Sequence, residues 1–202
     1  MLDGQMRRLI DPPLNLLGAV LFRLGITADR LTLLGLGFGL ACALAIILGF
    51  TWSALLFLAL SRLCDGLDGA VARASTPTDR GGFLDITCDF VFYGAVPLAF
   101  ALANPASHGL PAAVLLFTFY VNGASFLAFA TLAAKRGLTT QMQGLKSFYF
   151  SAGLAEGTET ILVFAAMILW PAWFPLLAYA FGALVLVTAA SRVILAWKTF
   201  AD

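Results

Sequence analysis

Four aspartates carry the densest chemistry in this chain. Asp65 and Asp68 are three residues apart, and Asp85 and Asp89 are four apart, in the run Cys64-Asp65-Gly66-Leu67-Asp68-Gly69-Ala70-Val71-Ala72-Arg73 and then Gly81-Gly82-Phe83-Leu84-Asp85-Ile86-Thr87-Cys88-Asp89. On helices, spacings of three and four put each pair on a single face. Two helices joined by a short loop would be antiparallel neighbours, so all four carboxylates can converge. Such charges in a low-dielectric site require cations. A set made only of oxygens suits hard ions, Mg²⁺ or Mn²⁺. Two such ions would clamp a pyrophosphate and spread its charge as a P–O bond breaks. Arg73 could hold a phosphate oxygen, and Gly69, Gly81 and Gly82 would let a nucleotide lie close to the backbone. The same spacing also fits a cluster that passes protons or cations, with structural glycines around it.

The elements that must position these residues are membrane spans. Hydrophobic residues make up 61% of the 202 positions and charged residues 11%, against about 45–50% and roughly a quarter in a soluble domain. Six stretches reach the roughly 20 apolar residues that a span needs: 31–50, 52–72, 83–103, 111–134, 151–170 and 173–195. With six spans, the termini and the two longer polar loops, 73–82 and 135–150, share one side. Arg7, Arg8, Arg23, Arg30, Arg73, Arg80, Lys135, Arg136, Lys146, Arg192 and Lys198 all fall on or near that side, and the opposite loops carry no Lys or Arg. The positive-inside rule makes it cytoplasmic. Arg62 is the exception, inside the second span and one turn before Asp65. Trp52, Trp170 and Trp173 fall at the outer interface, and His108 in a short polar outer loop. The spacing of Gly35 and Gly39 allows close helix packing, expected within the chain rather than between copies.

The fold expected is therefore all-α: one domain over 1–202, with six transmembrane helices over 31–195. Residues 1–29 form a cytoplasmic amphipathic segment, helical at the surface from Pro12 on. The start makes a poor signal peptide, because acids interrupt its basic end and two prolines break its apolar run. A formal net charge of +1 argues against a nucleic-acid partner. Cys42, Cys64 and Cys88 lack CxxC spacing and read as small buried hydrophobes rather than a disulfide framework or zinc site.

The aspartate pattern also resembles the signature of the CDP-alcohol phosphotransferase family, D-x2-D-G-x2-A-R-x8-G-x3-D-x3-D. Asp65, Asp68, Gly69, Ala72, Arg73, Gly81, Asp85 and Asp89 match it, with seven residues rather than eight between Arg73 and Gly81. Thr27-Ala28-Asp29-Arg30-Leu31-Thr32 resembles the family's T-P-N-x2-T opening of the first span. The resemblance implies six spans, a multi-pass protein of the bacterial inner membrane with a cytoplasmic active site, and a homodimer. It implies transfer of a substituted phosphate, phosphatidyl in particular, from a CDP-alcohol such as CDP-diacylglycerol to a hydroxyl in phospholipid synthesis, with release of CMP. Carried onto this chain, Asp65, Asp68 and Asp85 hold metal, two Mg²⁺ or Mn²⁺ ions in all. Asp89 both ligates and serves as the base. Gly69, Ala72, Arg73 and Gly81, with Thr32, hold the CDP moiety.

The signature leaves the acceptor open. Glu156 and Glu159 lie three apart in the cytoplasmic turns of the fifth span, with Lys146 before them and Arg192 near the end of the sixth. These four are the candidate acceptor residues. The glutamates could pair with Lys146 or Arg192 as structural glue. Facing a pocket, they would favour an amino alcohol, an uncharged polyol or a lipid hydroxyl over a phosphopolyol such as glycerol phosphate or inositol phosphate.

Overall fold

In a computed structural model, the described residues are 3–138, 155 and 157–201, and they are helical with no strand among them. Seven α-helices follow in order: α1 Asp3–Arg23, α2 Ala28–Ile47, α3 Thr51–Ala74, α4 Asp79–Ala103, α5 Pro105–Lys135, α6 Gly157–Leu169 and α7 Phe174–Thr199, the last preceded by a 3-10 turn, Pro171–Trp173. The helix ends follow local chemistry. Gly49, at φ +77, turns the chain from α2 into α3, a conformation glycine adopts without a Cβ penalty. The Thr78 hydroxyl caps α4 by accepting from the Gly81 amide at 3.0 Å, and Asn104 caps α5 with Pro105 in its first turn.

Helix α1 starts at Asp3, well before Pro12, and runs through Pro12 and Pro13. The connection expected over 73–82 shrinks to 75–78, because α3 and α4 extend into it. The outer loop expected around His108 is itself helical. Asn104 alone separates α4 from α5, and His108 is buried between Phe100 and Phe174, its ring 4.9 Å from that of Phe174. A polar pentapeptide led by Asn-Pro reads as a loop, yet it is also a helix start.

Among the described residues, four segments are long and apolar enough to cross a membrane by themselves: Ala28–Ile47, Asp79–Ala103, Pro105–Lys135 and Pro171–Thr199. Helix α3 has 24 residues but carries Arg62, Asp65, Asp68 and Arg73, and the described part of α6 is 13 residues long.

Helix α2 packs mainly on α3 and α4, α5 mainly on α7, and α1 lies against α3. The aromatic core joins the groups: Phe92, Phe164 and Phe174 are fully buried, and Phe100 stacks on Phe174 with centroids 4.3 Å apart. Gly35 and Gly39 pack inside the chain, as the spacing suggests. A Cβ on Gly35 would lie 3.1 Å from the Cys64 Cβ, and one on Gly39 would lie 2.7 Å from the Phe92 Cδ2. Gly37, on another face of α2, has nothing within 4 Å. This close approach of α2 to α3 and α4 brings the aspartate-bearing turns together.

Candidate metal centre

Asp65 and Asp68 lie in the second half of α3 and Asp85 in the first turns of α4, and α2, which packs on both of these helices, brings them side by side. Asp65, Asp68 and Asp85 each offer a carboxylate oxygen, and these oxygens all lie within 4.8 Å of one another. The cleft they share with Thr32, Arg62 and Asp89 has a volume of about 10 Å³, room for roughly one water or a small ion. An all-oxygen set of this size fits a hard divalent ion. Asp65, Asp68 and Asp85 thus come together, while Asp89 lines the same cleft outside that set.

Each ligand is held differently. Asp68 is 5% exposed, and the Thr32 hydroxyl on α2 donates to its Oδ2 at 2.6 Å. Thr32 thus reaches the centre, but its contact is with a carboxylate. That hydrogen bond fixes which way Asp68 points. Asp65 and Asp89 both approach Arg62. The Arg62 guanidinium donates to Asp89 Oδ1 at 3.1 Å, lies 3.5 Å from Asp65 Oδ2, and donates to the Ser61 hydroxyl at 3.2 Å. It rests over the Phe92 ring, 4.1 Å from the centroid. Ser61 is tied in turn to the Gly35 carbonyl at 2.8 Å.

Of the residues expected to hold the CDP moiety, Thr32 lines the cleft and the others do not. Gly69, Ala72 and Arg73 occupy the last turns of α3, Gly81 the first turn of α4 and Thr32 the first turns of α2. Arg73 folds back so that Nε and one terminal nitrogen donate to Asn15 Oδ1 on α1, at 3.1 and 2.9 Å. A Cβ on Gly69 would stand 3.2 Å from the other terminal nitrogen of Arg73, so that glycine makes room for the guanidinium. Gly81 faces Thr78 and Asp29, whereas Gly82 has nothing within 4 Å. Asp29 accepts from the exposed Arg80 at 2.6 Å, tying the start of α2 to the start of α4.

The second charged region lies between α5 and α7. One terminal nitrogen of Arg192 donates to the Asn122 carbonyl at 3.0 Å, to Asn122 Oδ1 at 2.8 Å and to the Ser125 hydroxyl at 2.9 Å. Asn122 precedes Gly123, which packs on the Phe90 ring with no room for a Cβ. This layer therefore adjoins the Phe90 side chain of α4. Glu159 is in the first turn of α6. Glu156 and Lys146 lie outside the described residues.

Sequence reasoning passed over Arg62, Ser61, Phe92 and Asn15. Arg62 did leave a signal, a base inside a span one turn before Asp65, at the spacing of a helical ion pair.

An all-helical membrane protein with a carboxylate cleft at one end of its bundle is the class that fold and site define. The family model for CDP-alcohol phosphatidyltransferase matches residues 25–197, and the chain belongs to that family of phospholipid-synthesis transferases. It is 48% identical to inner membrane protein YnjF of Escherichia coli over 193 residues, 96% of this chain and 94% of that one. It is 33% identical to archaetidylinositol phosphate synthase of Pyrococcus horikoshii over 102 residues, about half of each protein (50% and 54%). Its fold matches the crystal structure of Mycobacterium tuberculosis phosphatidylinositol phosphate synthase with CDP-DAG bound, with a TM-score of 0.68, 20% identity and coverage of 92% and 94%.

Proposed function

We propose that this chain moves the phosphatidyl group of CDP-diacylglycerol onto the hydroxyl of a small polar acceptor and releases CMP. The convergence of Asp65, Asp68 and Asp85 on one small cleft, in a chain of this family, carries the reading. These three residues would hold a divalent ion, Mg²⁺ or Mn²⁺, with Thr32 orienting Asp68. When bound, the ion supplies positive charge to the phosphate leaving with CMP. Gly69, Ala72 and Gly81 would line the approach of the cytidine and pyrophosphate, and Arg73 would turn its guanidinium from Asn15 to a phosphate oxygen. Asp89 is the base. Its Oδ1 is held by Arg62, so Oδ2 takes the acceptor's proton as the new O–P bond forms and the bond to CMP breaks.

For the acceptor, the charges of the α5–α7 layer and of α6 support two readings. Arg192 is fixed there by Asn122 and Ser125, a cation suited to an acceptor that carries its own phosphate. The archaetidylinositol phosphate synthase likeness supports the same choice. A phosphopolyol is therefore the first reading. Glu159, in the first turn of α6, favours the second, an amino alcohol or an uncharged polyol. Enzyme membership of the family displaces the ion-translocating reading of the cluster.

The chain is a single domain of six spans, with α3 and α6 among them and α1 lying on the cytoplasmic surface. Both termini and the carboxylate cleft face the cytoplasm of a bacterial inner membrane, and two copies associate. An impermeant thiol reagent applied from outside should label Ser107→Cys and spare Thr78→Cys, both positions being exposed; the opposite pattern overturns the orientation. The function itself is tested with purified protein, labelled CDP-diacylglycerol and a panel of phosphopolyols, free polyols and amino alcohols. CMP release with one acceptor, abolished by excess chelator, is expected. Turnover that persists in chelator, or none with any hydroxyl acceptor, would sink the proposal.

A further inference from the structure

Helix α1 is fastened to α3 at three points: Leu14 on Gly66, Gly18 on Ala70 and Asn15 on Arg73. Leu14 is buried, and a Cβ on Gly66 would stand 2.7 Å from its Cδ1. A Cβ on Gly18 would stand 2.6 Å from the Ala70 Cβ and 2.8 Å from the Ala70 carbonyl carbon, so α1 lies close against the α3 backbone. Leu14 and Gly18 are one helical turn apart and share a face, and Asn15 stands beside them. Its Oδ1 accepts twice from Arg73, from Nε at 3.1 Å and from one terminal nitrogen at 2.9 Å. The other terminal nitrogen lies over Gly69, next in the chain to Asp68 and one turn beyond Asp65.

The partner chosen is unusual for this chain. Arg62 and Arg80 are paired with carboxylates, whereas the group that accepts from Arg73 is an exposed, neutral amide. A guanidinium binds a phosphate, with charge on both sides, more strongly than it binds a neutral carbonyl oxygen. A phosphate can therefore displace the amide, where a carboxylate in its place would compete.

We infer that Asn15 is a positioning residue for donor binding: it holds Arg73 over Gly69 through a neutral bond that a donor phosphate displaces and that re-forms as CMP leaves. Asn15 acts from α1, ahead of residue 25, where the family match begins. This rests on the reading of CDP-diacylglycerol as the donor given above. The tighter position 15 grips Arg73, the weaker the donor should bind.

Equilibrium binding of labelled CDP-diacylglycerol to the full chain in detergent with Mg²⁺ tests it, alongside kcat and the thermal midpoint. Asn15→Asp keeps the shape and adds a charge, so Kd should rise about tenfold while kcat at saturating donor holds. Asn15→Ala should bind as tightly as wild type or up to about threefold more tightly. Arg73→Met should weaken binding by itself, and on that background Asn15→Asp should change Kd by less than about twofold. A purely structural contact would lower the thermal midpoint in both Asn15 variants and leave Kd alone. Unchanged binding in Asn15→Asp or in Arg73→Met, weakened binding in Asn15→Ala, or the same loss from Asn15→Asp with and without Arg73 overturns the inference. Should Arg73→Met bind too weakly to measure, the order of the two Asn15 variants decides it. No binding of CDP-diacylglycerol by wild type would instead bring down the donor reading on which the inference stands.

Discussion

The carboxylate cleft between α3 and α4 and the polar layer between α5 and α7 both place charge inside an apolar bundle, but they are built by different means. In the cleft, like charges are forced together: three carboxylates meet within 4.8 Å, a hydroxyl on α2 holds Asp68, and a guanidinium on α3 lies against Asp65 and Asp89. In the α5–α7 layer a single cation, Arg192, has its contacts satisfied by neutral partners, Asn122 and Ser125. The first arrangement holds repulsion that a cation relieves, which is how a metal centre is recognised. The second is already satisfied by hydrogen bonds, so it can serve as a clamp between helices and can also present a cation to a ligand.

Substitutions should separate the two regions by size and by kind. The largest effect is expected at Asp68. Asp68→Asn keeps the shape and the Thr32 contact but removes a ligand charge, so kcat should fall on the order of 10³-fold while the thermal midpoint holds within a few degrees. Retained turnover would mean that the cleft does not stabilise the departing CMP. In the other region, Arg192→Met should raise the acceptor KM on the order of tenfold and leave the KM for CDP-diacylglycerol unchanged. Normal kinetics with a lowered thermal midpoint would make Arg192 a clamp only, and the amino alcohol or uncharged polyol would become the better acceptor. The smallest effect belongs to the exposed Arg80–Asp29 pair. Because such pairs contribute about 0–1 kcal/mol, Arg80→Ala should shift the denaturation free energy by less than about 1 kcal/mol. A larger loss, or a matching rise in the CDP-diacylglycerol KM, would show that this pair shapes the mouth of the cleft.

The aspartate-bearing faces were legible in the sequence, because spacings of three and four fix a helical face whatever the surroundings, but it is α2, packed on both α3 and α4, that brings Asp65, Asp68 and Asp85 into one group. Apolar run lengths likewise made the helices legible, although Asn104-Pro105 read as a loop because a helix cap and a turn use the same residues. Tertiary structure alone decided which partner each charge takes. Thr32 reaches Asp68 rather than standing free for the nucleotide, Arg73 turns to Asn15 on α1, Arg192 goes to α5, and Arg62 pairs with Asp89 on the neighbouring helix. Those choices depend on how closely α2, α3 and α4 approach at Gly35 and Gly39, and on rotamers that bring groups up to 70 residues apart within hydrogen-bonding distance. Periodicity says which face a residue occupies. It does not say what faces it.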